Sequence, residues 1–204
     1  ISGVTAPWLN LPDGRQLGTS TKSLVTWSPS ERSVRAPAGI DGHLSGLLAS
    51  KGRLIYAAGR GLHELDLATG RVTTRLGEEF CSEPALSADG SSVAVFDKGD
   101  GVRVLSRQTG EVRFHARGDS WMHKRLAFTP DGKHLAVTRK KRIELLDATS
   151  GERVRSFVAS AYSLAISPDG TTLYAGQGGR KSPLLVFDLA SGKQLAQLDE
   201  TDVW

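Results

Sequence analysis

The sequence is short of sulfur and of long apolar runs. It has one cysteine, Cys81, and one methionine. A lone cysteine excludes an intrachain disulfide framework and a zinc site built from several cysteines. The acidic neighbours Glu79 and Glu83 work against a reactive thiolate at Cys81. Aromatics are sparse, with 4 Trp, 3 Tyr and 6 Phe, and no apolar run approaches the roughly 18 residues of a membrane-spanning helix. Neither charge sign dominates: 26 Lys and Arg against 22 Asp and Glu leave +4. No eleven-residue window holds a 3.6-residue hydrophobic period, so essentially no helix is expected. The first residues, Ile1 to Pro7, carry neither the basic start nor the apolar core of a secretory leader. Without an initiating methionine, the chain reads as trimmed or cut from something longer. One thiol and no leader make the reducing cytoplasm the expected compartment.

What the 204 residues do hold is a repeat. Thr129-Pro130-Asp131-Gly132 returns as Ser167-Pro168-Asp169-Gly170 and as Leu11-Pro12-Asp13-Gly14, with weaker copies ending at Gly52 and Gly90. Successive glycines in this series stand 38, 38, 42 and 38 residues apart. A second marker reads Asp66-Leu67-Ala68-Thr69-Gly70, Ser106-Arg107-Gln108-Thr109-Gly110, Asp147-Ala148-Thr149-Ser150-Gly151 and Asp188-Leu189-Ala190-Ser191-Gly192. Its glycines step by 40, 41 and 41. Two independent markers sharing one period of about 40 define a repeat architecture. Between them run short segments rich in Val, Ile, Leu and Thr, such as His134 to Thr138 and Arg153 to Phe157, bounded by tight-turn residues. Four antiparallel strands per unit make one propeller blade. The fold expected is all-β: a β-propeller of five four-stranded antiparallel blades, roughly 1–40, 41–80, 81–119, 120–159 and 160–200, in a single domain or segment over 1–204. The chain stops where a sixth blade would begin. The reading favours a piece of a larger propeller over a self-contained five-blade ring.

The units resemble degenerate bacterial WD-repeat-like and YVTN-type β-propeller repeats, of the form strand, Ser-Pro-Asp-Gly, strand, strand, Asp-x-Ala-Thr-Gly, strand. The Trp-Asp dipeptide never appears; Leu65-Asp66, Leu146-Asp147 and Phe187-Asp188 take its place. The resemblance implies a recognition or sensor arm carried by a larger protein or assembly.

Chemical motifs are few. Gly176-Gln177-Gly178-Gly179-Arg180-Lys181-Ser182 imitates a phosphate loop. However, Arg180 stands where that loop needs glycine, and a strand follows where it needs a helix. Asp97-Lys98-Gly99-Asp100-Gly101 has a weak calcium-loop look without the ligand spacing, and reads as a hairpin turn. The five histidines show no metal-ligand spacing. No cofactor, no metal and no catalytic residue is expected. The dense basic run Arg139-Lys140-Lys141-Arg142, with Arg180 and Lys181, falls on hairpin tips, and Trp121 lies in a long connection. These seven residues are the candidate partner contacts. Reversing residues 139 to 142 to Glu is expected to abolish partner capture without lowering thermal stability. The function expected is a non-catalytic protein–protein interaction scaffold or sensor domain, with protein partners and no membrane contact. The alternatives are a lactonase-like hydrolase with its site at the central mouth, and, less favoured, a nucleic-acid platform.

Overall fold

Two kinds of tight turn set the frame, and each follows from its residue types. In the first, a Ser or Thr hydroxyl donates to the Asp two residues on: Ser87 to Asp89, Thr129 to Asp131, Ser167 to Asp169, at 2.5–2.6 Å. The same hydroxyl accepts the backbone N–H of the next strand, from Ser92, His134 or Thr172. In the second, an Asp accepts backbone N–H groups two and three residues ahead. Asp66 and Asp147 each take two, and Asp188 takes that of Ser191. Gly90, Gly132 and Gly170 close turns of the first kind, Gly151 and Gly192 the second, and Gly110 its counterpart headed by Ser106, all with φ between 71 and 78°, where an L-residue is strained.

The structure is a computed structural model. It describes residues 4–10, 14, 16–20, 24–28, 33–35, 44–50, 53–58, 61–66, 68–69, 71–76, 82–97, 99, 101–119, 124–178 and 182–199. These form five four-stranded antiparallel sheets, each in sequential order, and no helix among the described residues. The first holds β1 (Val4–Asn10), β2 (Gln16–Ser20), β3 (Leu24–Ser28) and β4 (Ser33–Arg35); the second β5 (Leu44–Ser50), β6 (Arg53–Ala58), β7 (Gly61–Asp66) and β8 (Val72–Leu76). The third holds β9 (Ser82–Leu86), β10 (Ser92–Phe96), β11 (Val102–Ser106) and β12 (Val112–Ala116). The fourth is β13 (Leu126–Phe128), β14 (His134–Thr138), β15 (Ile143–Asp147) and β16 (Arg153–Phe157). The fifth is β17 (Ser163–Ile166), β18 (Thr172–Gly176), β19 (Leu184–Asp188) and β20 (Gln194–Leu198). A bulge recurs where the outermost strand meets its neighbour, between Val104 and Leu105, Leu145 and Leu146, and Val186 and Phe187. There it adds local twist to the blade.

The chain divides into two compact units, Ile1–Pro84 and Ala85–Trp204. In the first, Ile55, Tyr56, Leu62 and Leu65 are buried. The Tyr56 ring stacks on His63 at 5.2 Å, and burial pushes its phenol up to about 12. Arg53 bonds Glu64 at 2.6 Å on the same sheet.

The second unit holds two apolar clusters at its seams. Ala94, Phe96, Val104 and Phe114 of the third sheet pack with Leu135, Val137 and Leu146 of the fourth. Ile143, Leu145 and Phe157 of the fourth pack with Leu173, Leu185 and Phe187 of the fifth, the two Phe rings edge-to-face at 5.4 Å. The central strands β10 and β14 are buried almost throughout, whereas the outer β12, β16 and β20 are largely exposed. Burying a Leu- or Phe-sized side chain stabilises by about 1.5–3 kcal/mol, so the seams hold the blades side by side. In the fourth and fifth sheets the hairpin between second and third strands lies at one end, and the two aspartate turns lie at the other.

Candidate interaction surface

The β14–β15 hairpin carries the basic run. Arg139 N–H donates to the Arg142 carbonyl at 2.8 Å, which leaves Lys140 and Lys141 exposed at the tip. Arg139 instead turns inward and is 4% exposed. Its Nε lies 2.9 Å from Glu144 Oε2. Its guanidinium lies against Gly118, on the connection leaving the third sheet, where a Cβ would be driven into it. Arg142 is half-buried: its Nε meets Glu144 Oε1 at 2.9 Å and its Nη1 meets Asp119 at 3.3 Å. Arg153 Nη1 adds a third guanidinium to Glu144 at 3.3 Å.

Burial alone would raise the Glu144 carboxyl, but the Arg139 and Arg142 donors outweigh it and hold the group below its ordinary value. Arg142 is raised in turn by Glu144. Five cations (Arg139, Lys140, Lys141, Arg142, Arg153) stand against two carboxylates (Glu144, Asp119), and 5 − 2 leaves +3. The connection after β16 lies beside this hairpin, tied by Ser160 Oγ donating to the Lys140 carbonyl at 3.3 Å. It presents Val158, 86% exposed, and Tyr162, 42% exposed. The Tyr162 ring rests against Gly178 of the β18–β19 hairpin.

The corresponding brace in the third sheet has its signs exchanged. Asp97 follows β10 as Arg139 follows β14, and Arg103 occupies the place of Glu144. Asp97 lies 3.4 Å from Arg103 Nε and 2.6 Å from His115 Nε2, and its Oδ1 accepts the N–H groups of Gly99 and Gly101. Burial raises its pKa, but these donors and the His115 and Arg103 charges outweigh it, and the net shift is downward. The calcium-like look of this loop is thus a hairpin whose carboxylate already faces donors. Among the described residues no group of three or more His, Cys, Asp or Glu is placed to hold a metal.

The structure divides the candidate partner contacts Arg139 to Arg142 among three environments. Lys140 and Lys141 face solvent, Arg142 bridges two carboxylates, and Arg139 is an internal ion-pair group. Trp121, Arg180 and Lys181 lie outside the described residues. Glu144, Asp119, Val158 and Tyr162 were not among the sequence candidates. Glu144 had a signal, since a carboxylate two residues beyond a basic hairpin on a strand invites inward pairing.

At the opposite end of the sheets a cleft of about 560 Å³ opens between the fourth and fifth. Leu145, Val154 and Leu189 form its apolar wall, and Asp131 and Asp169 lie along it with Arg155. Hydroxyl donors first, Thr129 and Ser167, then the backbone N–H of Lys133 and Thr171, hold both aspartates below the usual carboxylate range.

Consecutive four-stranded antiparallel sheets whose strands are linked by these turns define a β-propeller of bacterial repeat type. Residues 75–201, more than half of the chain, match the family described as outer membrane protein assembly factor BamB, and the chain belongs to that family. No curated protein matches it. Among solved structures the chain is similar to Kuenenia stuttgartiensis hydrazine synthase, with a TM-score of 0.66 and 23% identity over 79% of this chain and 51% of that one. At that identity the likeness shows the fold alone. The chain spans about half the length of that solved chain.

Proposed function

We propose that this chain is a non-catalytic protein-interaction module, a propeller segment working within a larger protein or assembly. Its contact surface is the end of the fourth sheet that carries Lys140 and Lys141, and its partner is a protein with an acidic face. One observation carries the reading: a surplus of three positive charges on the β14–β15 hairpin and the adjoining β16, beside exposed Val158 and Tyr162. Cations next to an aromatic and an aliphatic side chain suit protein docking. The family's description as an assembly factor supports the same reading. The recurring Ser/Thr-Pro-Asp-Gly and Asp-x-Ala-Thr/Ser-Gly markers support reading the repeats as WD-like or YVTN-type blades.

The test reverses the two tip residues and leaves the buried arginine alone. Lys140→Glu with Lys141→Glu should lower partner capture from the source extract, quantified by mass spectrometry, by about tenfold or more. The wild-type capture should weaken with added salt, and the variant should melt as the wild type does. Equal capture by both proteins refutes the assignment. Retention of nucleic acid in place of protein, with a steep salt dependence, favours the nucleic-acid platform instead.

A further inference from the structure

One position in the outer strand changes character from blade to blade while its neighbours keep the frame. Stepping by 41, Thr73 pairs with Glu64, Phe114 with Val104, Arg155 with Leu145 and Ala196 with Val186. At the seam of the third and fourth sheets, Phe114 is buried with Ala94, Val104 and Leu146. Its ring lies so close beneath the next turn that a Cβ on Gly151 would be 2.5 Å away. At the following seam the same position is Arg155. Its aliphatic stem passes 3.1 Å from where a Cβ on Gly192 would sit, and its guanidinium spans the seam to donate to the Ser191 carbonyl of the fifth sheet at 2.9 Å. Arg155 thus follows the course of the Phe114 ring under the next turn, and beside its stem a cleft walled by Leu145, Val154 and Leu189 stays open. Its volume falls within the roughly 300–1,000 Å³ of ligand clefts. Of the charged groups lining it, Asp131 and Asp169, both with lowered pKa, stand against Arg155 alone, and 1 − 2 leaves −1.

We infer that this cleft receives an extended segment of a partner protein carrying an aromatic residue next to a lysine or arginine. The ring packs on Leu145, Val154 and Leu189 beside the Arg155 stem, and the cation meets Asp131 and Asp169. The site lies at the end of the sheets opposite the basic hairpin and stands independently of it.

Isotope-labelled protein titrated with the capped hexapeptide Gly-Ser-Arg-Phe-Ser-Gly, followed by amide chemical shifts, tests the inference. Shifts should centre on Leu145, Val154 and Leu189. Peptides with alanine for phenylalanine, or glutamate for arginine, should bind about tenfold or more weakly. Arg155→Phe should seal the cleft, abolish the shifts and raise the melting temperature. Val154→Lys, at a half-exposed site, should repel the peptide without disturbing the fold. Lys140→Glu with Lys141→Glu should bind the peptide as the wild type does, which separates this site from the hairpin surface. Absence of shifts at millimolar peptide overturns the inference. So do equal binding of all three peptides and undiminished binding by Arg155→Phe.

Discussion

Arg139 offers the sharpest test of how the basic hairpin is built. Its side chain is buried, its Nε is 2.9 Å from a buried carboxylate, and the guanidinium faces Gly118. Arg139→Met removes one partner of a buried ion pair, a change that costs about 3–5 kcal/mol in general. Arg142 and Arg153 remain on Glu144, which keeps the expected cost near the lower end, at about 3 kcal/mol. Arg139→Glu adds like-charge repulsion at about 3 Å, and the cost should reach about 5 kcal/mol or more. For a chain of this size each kcal/mol moves the midpoint by about 2–4 °C, so Met should lower it by about 6–12 °C. Lys140→Glu and Lys141→Glu touch only exposed groups and should each stay within about 0.5 kcal/mol. Thermal and urea unfolding followed by circular dichroism at neutral pH reads all four variants. If Arg139→Glu proves as stable as Lys140→Glu, the internal brace is refuted and the run behaves as four equivalent surface cations.

Gly132 and Gly151 have φ of 71 and 76°, yet a Cβ at Gly132 meets nothing within 4 Å whereas at Gly151 it meets the Phe114 ring at 2.5 Å. Gly132→Ala should cost about 1–2 kcal/mol from the left-handed backbone alone, and Gly151→Ala about 1–3 kcal/mol more from overpacking. Equal urea midpoints would show that the seam yields freely. Acid should also unfold the protein in a defined window. Asp89, held by the Ser87 hydroxyl first and then by Ser91, is lowered to about 2, and Glu144, Asp97, Asp131 and Asp169 are lowered as well. Their contribution is complete above the unfolded-chain values near about 4 and is lost as pH falls through the folded values. The melting temperature should therefore drop between about pH 4 and 2; a flat profile across that range contradicts the turn and brace assignments.

The frame was legible because each turn is local. Ser167, Asp169 and Gly170 complete their hydrogen bonds within five residues, so the motif and the structure are nearly the same statement. The inward turn of Arg139 depends on Gly118, 21 residues earlier, and on the side to which Glu144 points. Four adjacent basic letters cannot announce that. The cleft was invisible for a related reason. Arg155 reads as an ordinary outer-strand residue until it is set beside Phe114 in the preceding unit, and the signal is a difference between copies.

The contact of Gly118 with the Arg139 guanidinium bears on how the chain assembles. Repeats this alike risk docking out of order during folding, the characteristic failure of repeat proteins. Counted from the ends of the outer strands, the position of Gly118 becomes Ala159 after the fourth sheet, and counted from the turns, Arg139 becomes Gln177 in the fifth. A methyl group at the first and an amide at the second would leave a swapped pairing without its lock. The glycine and the arginine fit each other at this seam in a way that Ala159 and Gln177 would not reproduce.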